Sequence, residues 1–295
     1  MGFKSGFVAI LGEPNVGKST LINALIKEKV AIVSPKPQTT RDKIIGIYDD
    51  EESQIIFIDT PGKHTSRNKL DEFMQKSIDS ARQGVDVILL VIDGSKPIKK
   101  QQLDYIRAHD REKVILVVNK IDLSTFEQLY PKLDNFNNLE NIVDIVPISA
   151  KKGDNVPLLL DIIKKYLPNG VRYFDEGTYT DKSVRYLVAE TIREKALLFL
   201  QDEIPHGVAV EIMEFMEEDN LTVISADIIC EKQSHKQIII GKDGNKLKQI
   251  GTSARKDIEE LVKTKVMLKL FVKVREDWRN NNTYIKDLGY NNSEF

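Results

Sequence analysis

The chain has 295 residues, 41% of them hydrophobic and 30% charged, with a formal net charge of −2. That is length enough for two domains in the balance of a globular protein, and its longest purely apolar run, "VILLVI" at 87–92, is too short to cross a bilayer. The single cysteine, Cys230 in the apolar stretch "VISADIIC", excludes a disulfide framework and reads as a buried structural thiol.

The N-terminus "MGFKSGFVAILG" runs into a strand pattern without a signal-peptide cleavage site, and Gly6 stands where a myristoylation signal needs Ser or Thr. A cytoplasmic location is therefore expected. From residue 6 to 166, short β-branched runs alternate with stretches of helical period. Strands are expected at "FVAILG", "IIGIY", "QIIFID", "DVILLVID", "KVILVVN" and "IVDIVPIS". Helices are expected at "GKSTLINALIKE", "KLDEFMQKSIDSARQ", "QQLDYIRAHD", "FEQLYPKLDNF" and "VPLLLDIIKKYL". Apolar residues on both faces of the central strands predict an α/β fold, a mostly parallel sheet covered by helices on each side. After "LPNG" the rhythm breaks, and residues 169–182 read as a linker between a first domain at 1–168 and a second at 183–276, with a tail at 277–295.

The second domain has a different pattern. A long helix ("SVRYLVAETIREKALLFLQ") precedes two strands joined at "EEDN", then a glycine segment, a helix and a last strand "KVMLKLFVKV". This predicts a smaller α+β module. Residues 231–286 hold 14 Lys+Arg against 7 Asp+Glu, leaving 29 against 38 elsewhere, the asymmetry of an acidic body with a polyanion-binding module or of a charge-rich solvated surface.

Two glycine-built segments carry the chemistry. The first, "GEPNVGKST", comprises Gly12, Glu13, Pro14, Asn15, Val16, Gly17, Lys18, Ser19 and Thr20, and fits G-x-x-x-x-G-K-[ST] between a strand and a helix. Main-chain N–H groups of such a loop point at phosphates, Lys18 adds charge at the β and γ groups, and the Ser19 hydroxyl is a Mg²⁺ ligand. "DTPG" then offers Asp59 to the Mg²⁺ shell, with Thr60, Pro61 and the Gly62 N–H toward the γ-phosphate. "NKID" places Asn119, Lys120 and Asp122 at the carboxyl end of a strand, where α/β sheets bind ligands. The Asp122 carboxylate matches the paired N–H donors of guanine and rejects adenine by on the order of 10⁴-fold. Ser149, Ala150 and Lys151 would complete the base pocket.

These four elements in this order resemble the translation-factor-like P-loop GTPases, and "NKID" implies GTP. By that resemblance "PQTTRD" is the first switch, with Thr40 reaching Mg²⁺ and neighbouring Thr39 the competing candidate; residues 60–70 are the second. Lys18, Thr40 and Gly62 are then the residues expected to act in hydrolysis. Lys63 follows Gly62 where small signalling GTPases have a water-orienting glutamine, and His64 reads as a surface residue. Relatives with "PNVGKS" often use a K⁺ beside the β and γ phosphates, and the resemblance implies that Asn15 would hold one here.

The second segment, Ile239, Ile240, Gly241, Lys242, Asp243 and Gly244, followed by Lys246, Leu247 and Lys248, matches I-I-G-x-x-G-x-x-L-x-x-I and resembles the type II KH module, whose G-x-x-G loop clamps an RNA backbone. By composition "KQIII" reads as a strand, whereas the resemblance implies a short helix. Ile239, Ile240 and Leu247 are expected to line an apolar groove for bases, while Lys242, Lys246 and Lys248 add salt-dependent affinity. Trp278, Tyr284 and Tyr290 either pin the tail or stack on a base.

Together the two segments resemble the Era GTPases over essentially the whole chain. The resemblance implies a monomeric ribosome-assembly factor that binds the 3′ end of small-subunit ribosomal RNA on the maturing 30S subunit, with GTP and Mg²⁺ as cofactors and peripheral association with the inner membrane. Two rival readings stand beside it. One is a metabolic, signalling or RNA-modifying GTPase whose C-terminal module is a protein adaptor. The other is an RNA-binding protein with a vestigial nucleotide site, against which intact Lys18, Ser19, Asp59 and Asp122 speak.

Overall fold

The computed structural model describes residues 2–34, 36, 39–59, 68–72, 74, 84–98, 113–125, 127–129, 136, 141–201 and 204–290. The helix expected at 101–110, most of those at 69–83 and 126–136, and Gly62, Lys63 and His64 lie outside them. The described residues form two compact units.

The first unit is built on six strands: β1 (Lys4–Leu11), β2 (Ile44–Asp49), β3 (Ser53–Asp59), β4 (Val87–Asp93), β5 (Val114–Asn119) and β6 (Ile142–Pro147). Their order is β2-β3-β1-β4-β5-β6, with only β2 antiparallel to its neighbour. Side chains alternate across the pleat. Val8 and Ile10 therefore join α1 (Lys18–Ile26) and α2 (Val156–Tyr166) in one core, while Ala9 and Leu11 join Ile88, Leu90 and Phe136 in another on the opposite face. Each fully buried Leu or Ile contributes roughly 2 kcal/mol. The segment 169–182, read from sequence as a linker, is tied to this unit. Gln54 exchanges hydrogen bonds with the main chain at Tyr173 and Phe174, Ile47 N donates to Tyr179 O (3.0 Å), and Thr180 Oγ1 donates to Ile45 O (2.7 Å). The strap thereby covers the edge that β2 would otherwise leave open.

The second unit runs α3 (Val184–Phe199), β7 (Ala209–Glu218), β8 (Leu221–Cys230), α4 (Gln233–Ile240), α5 (Asn245–Val262), β9 (Lys265–Val274) and α6 (Asn282–Asp287). Its sheet has the order β7-β8-β9, with β7 antiparallel and β9 parallel to β8. One core joins Val188, Ile192 and Ala196 of α3 to Ile224, Ile228, Ile239, Ile250 and Ile258. "QIII" is helical, as the resemblance implied and composition did not.

The stretch Ile32–Arg41 and described residues of 68–74 belong to this second unit. Arg193 has no exposed surface; Glu190 accepts from its Nε (2.7 Å) and Nη2 (2.6 Å), and Nη2 also donates to Thr39 O. Arg41 donates to Val208 O (2.7 Å) and lies over the ring of buried Trp278 at 5.6 Å. Leu70 and Met74 pack with Ala209, Ile229, Trp278, Ile285 and Tyr290. Trp278 and Tyr290 thus pin the tail, and Trp278 Nε1 donates to Gly207 O (3.0 Å). Cys230 is fully buried, and burial pushes its thiol pKa up.

Candidate functional site

The carboxyl ends of three strands each finish on a polar residue: Asp59 on β3, Asp93 on β4 and Asn119 on β5. Between β1 and α1 the chain turns through Asn15 (φ 63°) and Gly17 (φ 100°) and enters the helix at Lys18. Such a turn leaves the helix's first N–H groups facing outward with its positive dipole end. Lys18 is 7% exposed and folds back, donating to Gly12 O (3.0 Å) and Glu13 O (3.1 Å). Burial lowers its pKa and the nearby Asp59 carboxylate opposes the drop. An ammonium held this way on carbonyls is ready to exchange them for phosphate oxygens. Ser19 Oγ donates to Asp59 Oδ2 at 3.1 Å. A hydroxyl and a carboxylate side by side are hard oxygen donors, the kind Mg²⁺ takes.

Asn119 joins the turn before α1 to the segment after β6. Its Nδ2 donates to Val16 O (2.9 Å), and its Oδ1 accepts from Ala150 N (3.0 Å). A Cβ on Gly17 would stand 2.3 Å from that Nδ2, so the loop requires glycine here on both conformational and packing grounds. Ser149 Oγ donates to Asp122 Oδ1 (2.8 Å), fixing the carboxylate while leaving each oxygen a lone pair for a bidentate partner. Lys120, in the left-handed region (φ 67°), donates to Asn15 O (2.6 Å) and to Asp93 Oδ2 (2.7 Å). The structure thus brings together Asn15, Val16, Gly17, Asn119, Lys120, Asp122, Ser149 and Ala150, and separately Ser19 with Asp59. Lys151 is exposed nearby in sequence; Thr60, Pro61 and Gly62 lie outside the described residues. Thr40 is buried within the second unit, and Thr39 Oγ1 is engaged with Lys36 O (2.6 Å). Sequence reasoning missed Asp93. Its signal was available: like Asp59 and Asn119, it ends an apolar parallel strand at the ligand edge.

In the second unit, Gly241 (φ 73°), Asp243 (φ 53°) and Gly244 (φ 72°) turn the chain from α4 into α5. A Cβ on Gly241 would meet Lys246 Cβ at 2.7 Å, whereas nothing lies within 4 Å of one on Gly244. The free space is over the loop, where a backbone phosphate can approach the N–H groups of the 18-residue α5. Lys242 and Lys248 are exposed, and Ile240, Lys246 and Leu247 are half-buried. Ile239, expected to face the groove, has no exposed surface and serves the core; Ile238 beside it is 46% exposed.

Comparison with known proteins gives three kinds of finding. Residues 7–120 match the family model described as "50S ribosome-binding GTPase", and residues 203–279 match the KH domain. GTPase Era of Clostridioides difficile strain 630 is 50% identical over 98% of this chain and 99% of its own length. GTPase Era of Clostridium botulinum strain Hall is 46% identical at the same coverage. Two solved structures, each 39% identical and covering 98% of this chain and 99% of their own, superpose closely. They are Era in complex with MgGDPNP and nucleotides 1506–1542 of 16S ribosomal RNA (TM-score 0.92) and a variant of Aquifex aeolicus Era bound to GDP·AlF4⁻ (TM-score 0.93).

Proposed function

Because this chain belongs to the Era family of GTPases, we propose that its first unit holds GTP through residues 12–20, 59–62, 119–122 and 149–151, and that its second unit holds the 3′ region of small-subunit ribosomal RNA through residues 238–248. The protein is a GTPase with GTP, GDP and Mg²⁺ as its ligands. The observation that supports the placement most directly is the Asn119 amide, which spans Val16 and Ala150 and so ties the phosphate loop to the segment that fixes Asp122.

In this reading the loop N–H groups and Lys18 orient the triphosphate, Asp122 reads guanine, and Ser19 and Asp59 would hold Mg²⁺. The ion, when bound, neutralises charge on the β and γ oxygens. Intrinsic turnover should be slow, because no side chain in the sequence is an obvious base for the attacking water. Asn15 is assigned a K⁺ that supplies the charge an arginine finger supplies elsewhere; equal hydrolysis rates in KCl and NaCl would remove that assignment. We place the nucleotide domain at 1–168, apart from the stretches of it that group with the second unit, the strap at 169–182, the RNA module at 183–276 and the tail at 277–295. The protein then works as a monomer in the cytoplasm on the maturing 30S subunit.

Two measurements test the assignment. Asp122→Asn should shift preference from GTP to XTP, because an amide presents a donor where xanthine carries a carbonyl; unchanged GTP preference would reject Asp122 as the base reader. Filter binding of a 16S 3′-end transcript should be lost in Gly244→Asp with hydrolysis retained, and retention of RNA binding would reject the loop.

A further inference from the structure

We propose that Asp93 is a positioning residue for guanine-nucleotide binding: its carboxylate holds the Lys120 ammonium on the main-chain carbonyl of Asn15, locking the base-reading turn and the phosphate loop into one piece.

Asp93 ends β4 in register with Asn119. Its side chain is 6% exposed, and both oxygens are committed in different directions. Oδ1 accepts from Ser95 Oγ (2.6 Å) and Ser95 N (3.1 Å); Oδ2 accepts from Lys120 Nζ (2.7 Å). Ser95 therefore aims the carboxylate, and the carboxylate aims the lysine. The same ammonium reaches Asn15 O at 2.6 Å.

What this bridge joins gives it its significance. Asn15 and Lys120 are both non-glycine residues in the left-handed region, at φ 63° and 67°. A conformation of that kind costs about 1 kcal/mol or more and persists where the surroundings hold it. The turn at Lys120 sends the Asn119 side chain toward the phosphate loop and Asp122 toward Ser149. The turn at Asn15 precedes Gly17 and the start of α1. One ammonium thus stabilises both turns, and a buried carboxylate keeps it in place. An exposed ion pair would be worth little, but here the acid is enclosed. Although burial alone would raise the Asp93 pKa, the Lys120 and Ser95 hydrogen bonds bring it below its ordinary value, so the carboxylate is ionised at neutral pH. Lys96, 3.6 Å from Oδ2 and largely exposed, is a secondary partner.

The clamp lies on the base side of the nucleotide in the reading above, on which this inference rests. GTP and GDP should therefore depend on it equally, unlike contacts that need a γ-phosphate. The test uses the full-length protein with a fluorescent GDP and a non-hydrolysable GTP analogue, in wild type, Asp93→Asn, Lys120→Ala and the double variant. Asp93→Asn should raise Kd for both nucleotides by the same factor, on the order of tenfold for loss of a charge-assisted pair, and should speed GDP dissociation. In the Lys120→Ala background the same change should add nothing, because Asp93 acts through Lys120. If Asp93→Asn does not fold, Ser95→Ala loosens the same carboxylate from an exposed position and should give a smaller effect in the same direction. Wild-type affinity in either variant, unequal losses for the two nucleotides, or additivity with Lys120→Ala would overturn the proposal. Failure of wild type to bind GDP would instead sink the nucleotide reading itself.

Discussion

Glycines in the two proposed anion cradles differ in why they are needed. At Gly17 a side chain is forbidden twice, by a positive φ and by the Asn119 amide, which lies 2.3 Å from where a Cβ would stand. Gly17→Ala should therefore push Asn119 off Val16 O and weaken GDP binding by more than a hundredfold, about 3 kcal/mol; nucleotide titration that showed less than a tenfold loss would contradict this packing account. Gly241 is crowded by Lys246, but Gly244 faces open space. Gly241→Ala should accordingly cost more stability in urea unfolding than Gly244→Ala, which pays only for its positive φ, about 1 kcal/mol. Arg193 is a different case, a fully buried charge held by Glu190 and seated on the Thr39 carbonyl. Glu190→Ala leaves that charge without its counter-ion and should destabilise the second unit by about 3–5 kcal/mol in urea unfolding.

Elements were legible where local pattern decides them. The apolar runs "VILLVID" and "VILVVN" could only be central strands, and they are β4 and β5. "VPLLLDIIKKYL" had helical period and a proline suited to a first turn, and it is α2. "KQIII" was not legible in this way, because a short run of β-branched residues fits a strand as well as a short helix; only the following G-x-x-G and the family pattern resolved it. Long-range ties were invisible for a related reason. Nothing near Gln54 or Ile47 announces that residues 173–180 will lie along them, and nothing near Asp93 names Lys120 as its partner. The turn joining β2 to β3 offers a pH test at this scale. Asp50 accepts from Glu52 N (3.0 Å), Ser53 N (2.7 Å), Tyr48 OH (2.9 Å) and Lys164 Nζ (2.5 Å). Burial opposes ionisation, but these donors outweigh it and lower the Asp50 pKa from 3.8 to about 2. A depressed carboxylate stabilises the fold above its unfolded pKa and loses that contribution as pH falls through the folded one. The melting-temperature gap between wild type and Asp50→Asn should hold steady at pH 5–7, shrink below pH 4 and close near pH 2. A gap independent of pH would mean that the Asp50 charge adds nothing.

At the scale of the whole molecule, a nucleotide switch acts on RNA only if GTP and GDP states bind RNA with different affinity, and then RNA must alter nucleotide affinity by the same factor. A 16S 3′-end transcript should bind more tightly with a GTP analogue than with GDP, and the ratio should reappear in nucleotide titrations with and without RNA. Equal affinities would mean two activities that merely share a chain. The proposed pairing of ligands is legible in two motifs, since a cradle of main-chain amides leaves a glycine signature. Which unit gathers the segment around Thr40 could not, because it depends on Arg41 and Arg193, two arginines indistinguishable by sequence from surface charges. Cys230 has a practical consequence of the same kind. Because the protein's one thiol is sealed inside the second unit, a maleimide dye added under native conditions clocks the breathing of that unit alone. Ribosomal transcript should slow its uptake, a stopwatch that the molecule carries without any engineering.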